Sequence, residues 1–269
     1  MLLSSPPILE RDSGYPLSAE DLPEMRVEHG KYIVRFAGNP DDLDSVLRLR
    51  YEIFNLELGE GLESSHDTGR DRDDFDSRCH HLMVVSAEDQ RVIGTYRMQT
   101  AEMAARFGGF YSAGEFDFAE LLPDVVSASV EVGRAGIARS HRNRQVLFLL
   151  WKGLAAYLSH NRKRYLFGCC SLTTQDPAVG IRAIRQLTAD GHRHPELRVT
   201  PRPGFECRLP DGGDAGDETV SIPILFRTYL RYGAKVCGPP AIDRAFKTID
   251  FLVVLDIEAL DPAFRKLYF

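Results

Sequence analysis

The sequence predicts an α/β chain in which helices cover both faces of one mixed sheet, a three-layer α/β/α arrangement. Three observations carry that expectation. Strand-like and helix-like runs alternate along most of the 269 residues. The run YLFGCCSL, residues 165–172, is apolar throughout, as a strand covered on both faces must be. The run QVLFLLWKGLAAYLSH, residues 145–160, sets Val146, Leu147, Leu150, Leu154, Tyr157 and Leu158 on one stripe, the pattern of a helix lying on a sheet.

Element by element, residues 1–29 are rich in Pro, Ser and acids with little periodicity, and are expected to form a mobile or surface-draped arm ahead of a single domain over 30–269. KYIVRFAG alternates as a strand. Asn39 and Pro40 then cap and open a helix over DDLDSVLRLRYEIFNLEL, in which Arg50 shares the inward face with Leu43, Val46, Leu47, Tyr51 and Phe54. The charge-dense stretch 63–78 is expected to be a loop. HHLMVVSA and RVIGTYRMQT form a hairpin through Glu88-Asp89-Gln90, and a short helix near EMAARFG precedes an irregular aromatic segment. SASVEVGRAGIA is a long strand with a break at Gly133 to Gly136, followed by the helix from about Arg144 to His160. PAVGIRAIRQLTADG starts on Pro and stops at Gly as helices do, residues 198–219 form a long loop, SIPILFRTYLRYG is an amphipathic helix, and DFLVVLD is a strand.

With 43% hydrophobic and 27% charged residues, the chain can bury a core without disulfides or metals. A net charge of -6 argues against nonspecific nucleic-acid binding. Five cysteines, two of them adjacent at 169 and 170, suit reduced buried thiols and a cytoplasmic setting. The start of the chain reads as no secretory signal, and the helix at 145–160 is too short, with Lys152 in it, to span a bilayer.

Chemistry is expected where charges converge near strand ends. Asp73 and Asp76 lie in a loop feeding a strand, Arg97 ends the neighbouring strand, and Glu131 and Arg134 lie on another. Such a set can hold a zwitterion, carboxylates facing its ammonium and a guanidinium fork facing its carboxylate. The same residues also read as a solvated acidic loop and a structural ion pair, and spacing does not separate the two readings. The stretch Ile137, Ala138, Arg139, Arg142, Asn143, Arg144 and Gln145 leads into a helix N-terminus, where free N–H groups and arginines suit a phosphate such as that of a phosphopantetheine arm; a solvated basic helix start is the alternative. No metal site is expected: His80-His81 and His192-Arg193-His194 lack completing ligands, and strand neighbours face opposite ways. Ser171 lacks a nucleophile elbow.

The ordered blocks R-Y-E-I-F (50–54), D-D-F-D (73–76), H-L-M-V-V (81–85), G-T-Y-R (94–97) and E-V-G-R (131–134) resemble those of acyl-homoserine-lactone synthases, N-acyl amino acid synthases and the "hemolysin-like" ornithine N-acyltransferases, all of the GNAT superfamily. The blocks L-W-K-G (150–153), F-G-C-C-S-L (167–172) and G-P-P-A-I-D-R-A-F-K-T-I-D-F (238–251) favour the ornithine branch, and the resemblance covers residues 31–269. It implies a GNAT-like fold with a splayed mixed sheet and a polar cluster of Arg50, Asp73, Asp76, Arg97, Glu131 and Arg134 beside the reacting carbonyl. It also implies a long acyl chain, with 3-hydroxylation left open, and an acyl-phosphopantetheine thioester as co-substrate, with no permanently bound cofactor. RSHRNRQ at 139–145 lacks the Gly-x-Gly turn of ordinary acetyltransferases, so acyl carrier protein is favoured over acyl-CoA as donor.

On this reading the acceptor's α-amine attacks the thioester directly. Glu131 is the expected base, Asp73 or Asp76 holds the ammonium, Arg97 or Arg134 receives the carboxylate, backbone N–H groups between Gly133 and Ala138 face the oxyanion, and Ser171 protonates the departing thiolate. The expected partners are acyl carrier protein, an amino-acid acceptor and, for a lipid product, peripheral contact with the inner membrane surface. The rivals are an autoinducer synthase and a non-catalytic acyl-binding module on the same fold.

Overall fold

A computed structural model describes residues 14–269. Its strands are β1 Arg26–His29, β2 Tyr32–Phe36, β3 His80–Ser86, β4 Val92–Thr100, β5 Phe116–Asp117, β6 Ser129–Ile137, β7 Tyr165–Leu172, β8 Thr200–Pro201, β9 Lys235–Val236, β10 Ala241–Asp243 and β11 Thr248–Asp256. The helices are α1 Pro40–Tyr51, α2 Ser65–Thr68, α3 Ala101–Phe107, α4 Pro123–Ser127, α5 Arg144–His160, α6 Pro177–Ala189, α7 Ile224–Arg231 and α8 Pro262–Tyr268. The described chain divides into two compact units: one holds residues 14–99 and Arg134–Asn161, the other Thr100–Gly133 and Arg162–Phe269.

In the first unit β1 to β4 pair in sequence order, each antiparallel to the next. Side chains alternate across β3. His80 meets Tyr157 of α5 and Leu82 meets Gly153 of α5, whereas His81 faces Asp76 and, through it, Arg50 of α1. Helices therefore cover both faces. Gly153 is required by that packing, because a Cβ there would overlap the Leu82 side chain. Helix α1 is capped by Asn39, whose side chain accepts from the Asp42 N–H, and it continues after Tyr51 as a π-helical turn over Glu52–Glu57 that buries Ile53, Phe54 and Asn55.

The predicted arm lies partly outside the described residues, over 1–13. Its described part is tied down. Tyr15 is buried, the Leu17 carbonyl accepts from His80 Nε2 (2.8 Å), and Arg26–His29 pairs with β2 as an edge strand. Alternation gave no sign of β1 because all four of its residues are exposed, so neither face carries an apolar signature.

In the second unit β6 and β7 are parallel, with Glu131 opposite Phe167, and β7, β11 and β10 follow antiparallel, with β9 also on β11. The sheet is mixed, as expected. Eight register pairs join β7 to β11, making β11 a buried central strand. Phe251 meets Phe226 of α7 (ring centroids 5.7 Å), and Gly180 of α6 lies against Ile249, so these helices occupy one face. The other face carries Phe167, Leu252 and Val254 in a core with Phe110, Phe116, Leu121, Leu197 and Val199. The predicted loop 198–219 is largely irregular but anchored: the Arg202 N–H donates to the Glu115 carbonyl (2.7 Å) and Arg182 donates to the Ala215 carbonyl. Helix α7 begins only after Pro223, later than the periodicity predicted, because proline and the chain before it do not extend the helix.

Candidate active site

Three arginines and three aspartates of the first unit form one buried lattice. Arg50 is fully buried; its Nε donates to Asp71 Oδ2 (2.8 Å) and its Nη1 to Asp76 Oδ1 (2.5 Å). Arg97 Nη1 reaches both Asp73 Oδ1 (2.6 Å) and Asp76 Oδ1 (3.0 Å), and Arg134 Nη2 reaches Asp73 Oδ2 (3.0 Å). The loop folds around this charge: the Asp71 N–H donates to the Leu47 carbonyl of α1, and the Asp73 N–H to Asp76 Oδ2 (2.8 Å). Burial alone would raise Asp76, but Arg50 and then Arg97 outweigh it and hold the carboxyl well below the usual range. Asp73 is likewise held low against burial, chiefly by Arg97 and then Arg134. His81 donates Nε2–H to the Asp76 carbonyl, and burial, which outweighs Asp76, presses it down to about 3, so it is neutral.

Five residues expected to cluster, Arg50, Asp73, Asp76, Arg97 and Arg134, are thus brought together, and the acidic loop is not a solvated one. Asp71, one position back from Arg72 in the same acidic run, completes the lattice and went unrecognised because nothing in the spacing separated it from its exposed neighbours. The aspartates and arginines are engaged with one another. Asp73 and Arg134, with side-chain exposures of 14% and 8%, form its accessible edge.

Arg134 adopts a left-handed conformation (φ 49°), so the strand break expected at glycines falls on the residue that closes the lattice. The Ala138 N–H, one of the expected oxyanion donors, instead donates to the Ile93 carbonyl (2.9 Å). A cleft of about 540 Å³ in the same unit is lined by Glu52, Ile53, Glu57, Asp89, Arg91, Val92, Ile93 and Ala138 to His141, so Ala138 and Arg139 of the expected phosphate-binding stretch border it. Ile137 lends its carbonyl to Arg142 Nε (3.0 Å), and the Arg142 guanidinium is clamped by Glu57 (2.7 and 2.8 Å). Asn143 caps α5, accepting from the Gln145 and Val146 N–H groups, and Arg144 is exposed.

In the second unit Glu131, 7% exposed, accepts from the Tyr111 N–H (2.8 Å), the Ser112 N–H (2.8 Å) and the Ser112 hydroxyl (2.5 Å). It pins the 110–115 segment. Ser171 sits in register with Asp250 and its hydroxyl bonds that carboxyl. Beside them lie Glu115 and Cys169, whose Sγ is 3.7 Å from Glu115 Oε2, while Asp243 accepts from the Tyr111 hydroxyl (2.9 Å). Burial and then Glu115, Asp250 and Glu131 push the Cys169 thiol up, which fits a protonated packing thiol. Sequence reasoning missed Glu115, Asp243 and Asp250; Asp250 stands at the start of an apolar strand, and only its partner across β7 reveals a polar role.

Residues 49–152 match the family described as Acetyltransferase (GNAT) domain. The L-ornithine N(alpha)-acyltransferase of Rhodobacter capsulatus is 30% identical over 251 residues, covering 88% of this chain and 94% of that protein. The chain belongs to the L-ornithine N(alpha)-acyltransferase family. The protein of that name from Rhizobium meliloti (strain 1021) is 29% identical over 245 residues, covering 87% of this chain and 83% of its own. Among solved structures, FeeM, an N-acyl amino acid synthase from uncultured soil microbes, aligns with TM-score 0.49 at 10% identity, covering 86% of this chain and 95% of that one; at such distance no side-chain role transfers.

As a member of this family the chain is an acyltransferase with the GNAT fold. The GNAT match spans the whole Arg50–Arg134 set and most of α5. Among the described residues no helix is long and apolar enough to cross a membrane.

Proposed function

We propose that the chain transfers a long fatty acyl group from acyl carrier protein to the α-amine of ornithine, in the cytoplasm at the inner membrane surface. The observation that carries the acceptor and the reaction is the similarity along nearly the whole chain to relatives named for Nα-acyl transfer to L-ornithine. The donor assignment is supported by the stretch Arg139 to Gln145, which presents arginines at the start of α5 without a glycine-rich phosphate loop. Exposed Leu267 and Phe269 beside Arg265 and Lys266 on and after α8 support peripheral membrane contact.

In this mechanism the α-amine loses a proton and attacks the thioester carbon, and the thiol leaves. Glu131 accepts that proton through a water. Its three donors fix the carboxyl in place, so it acts by orienting and polarising the water as well as by basicity. Ser171 relays a proton to the departing thiolate and takes one back from solvent, while the amine's proton leaves through Glu131, so that the hydroxyl is restored. Within the first unit, Arg50 and Asp76 fix the geometry behind the Arg97–Asp73–Arg134 edge of the lattice.

The test uses the purified chain with an acyl carrier protein thioester, or the matching acyl-CoA, plus ornithine. Release of thiol should be faster from the carrier protein, and Glu131→Gln should keep the circular-dichroism spectrum and donor binding while losing about 100-fold or more in kcat. Unchanged turnover in Glu131→Gln removes that residue from the mechanism, and equal rates from both donors remove the carrier-protein preference.

A further inference from the structure

The charged groups of the first unit's lattice are engaged with one another, which leaves them nothing to offer an acceptor's side chain. The second unit holds a different set of acids. The β7–β11 and β10–β11 registers place Ser171 opposite Asp250, Cys169 opposite Leu252 and Asp243 opposite Thr248. Cys169 and Ser171 of β7 and Thr248 and Asp250 of β11 therefore share one sheet face, the face opposite to that covered by α6 and α7. Glu115 is delivered onto the same face by the segment that Glu131 pins through Tyr111 and Ser112. One ligand atom from each of Glu115, Cys169 and Asp250 lies within 4.8 Å of the others.

Burying carboxylates this close costs free energy unless a cation or proton joins them. Glu115, Asp243 and Asp250 are 4%, 5% and 3% exposed. Ser171, Thr248 and Glu115 all lie within side-chain bonding reach of the Asp250 carboxyl, whose Oδ1 is nonetheless buried without a partner of hydrogen-bonding geometry. Burial, with Asp243 adding to it, raises Asp250 above the ordinary carboxylate range. Beside the acids, Phe110, Phe118 and Phe167 form a cluster of rings with centroids 4.9 to 6.3 Å apart, and Cys169 packs against the core that holds them. An acid-ended, aromatic-sided site matches a short methylene chain ending in an ammonium. With N–H···O contacts of about 2.8 Å, a tetrahedral ammonium bridges carboxylate oxygens at this spacing.

We propose that Glu115 and Asp250, backed by Asp243 and Ser171, bind the side-chain ammonium of a dibasic amino-acid acceptor and so select it over neutral amino acids. The proposal rests on acyl transfer to an amino acid and adds the group that reads the side chain. Ammonium binding requires ionised Asp250, so the preference for a dibasic acceptor grows as pH rises through the raised Asp250 value.

The experiment compares ornithine with 2-aminopentanoate, its neutral analogue lacking the terminal amine, as acceptors of the full-length chain with one acyl donor. Wild type should favour ornithine by about 100-fold in kcat/KM, and Asp250→Asn and, separately, Glu115→Gln should each reduce that ratio at least tenfold, mainly by raising the ornithine KM. The wild-type ratio should rise with pH, and Asp250→Asn should flatten that rise. Equal use of the two acceptors by wild type overturns the subsite while leaving amino-acid acylation intact; acylation of neither overturns both. A preference that chelator abolishes and added zinc restores shows a metal site and also overturns it. If either variant fails to fold, the wild-type ratio and its pH dependence still decide.

Discussion

Arg50 carries two ion pairs with no exposure to solvent, so the stability it lends and the cost of losing it are unequal. Removing it leaves Asp71 and Asp76 as buried charges with one partner fewer each. Arg50→Ala should destabilise the chain by about 3–5 kcal/mol in urea unfolding, whereas Arg142→Ala, which breaks a half-exposed pair with Glu57, should cost less than about 1 kcal/mol. Comparable losses would show that the lattice is not a single buried unit. At this scale the sequence was legible where charges recur at strand ends: Arg50, Asp73, Asp76, Arg97 and Arg134 meet as expected. It was silent on Asp71 and on Glu115, Asp243 and Asp250, because single acids inside turns or apolar runs look alike until register shows what they face. The expected ammonium-holding role of Asp73 and Asp76 meets a physical obstacle, since both are already held by arginines.

Among elements, α5 and β7 match their expected limits because each has an uninterrupted signal: an apolar stripe for the helix, an apolar run for the strand. The π-turn after α1 was not legible; it changes the helical phase without changing composition. Gly168 shows how tightly β6 and β7 approach. A Cβ there would collide with the Val132 carbonyl oxygen, a backbone atom that cannot rotate away. Gly168→Ala should therefore lower Tm by several degrees and broaden unfolding, while Asn143→Ala, which removes the α5 cap, should cost about 1 kcal/mol. A Gly168→Ala chain as stable as wild type would mean that the two strands do not meet at this register.

For the whole molecule, pH reads the buried charges. His80, hydrogen-bonded to Tyr157 and Leu17, is pressed by burial to about 4, and His81 by burial to about 3. Their folded values lie below the unfolded value, so as pH falls below about 6.5 the unfolded chain takes up protons that the folded chain refuses, and stability drops. At pH 5 each histidine accounts for roughly 2 kcal/mol of that loss, and Asp73 and Asp76 add theirs below about 3.8. Asp250, raised by burial, has the opposite sign and offsets part of it. Tm should fall between pH 7 and pH 5, and His80→Gln should shrink that fall; a flat profile would contradict the buried neutral imidazoles.

The central claim is that this acyltransferase forms an amide on the α-amine of an amino acid. Its most direct test is tandem mass spectrometry of the product made by the purified chain from an acyl carrier protein thioester and ornithine, with released thiol counted in parallel. The account predicts one Nα-acyl-ornithine for each thiol released and little release without ornithine. Thiol release independent of the acceptor, or an acyl group found only on the side-chain amine, would contradict it.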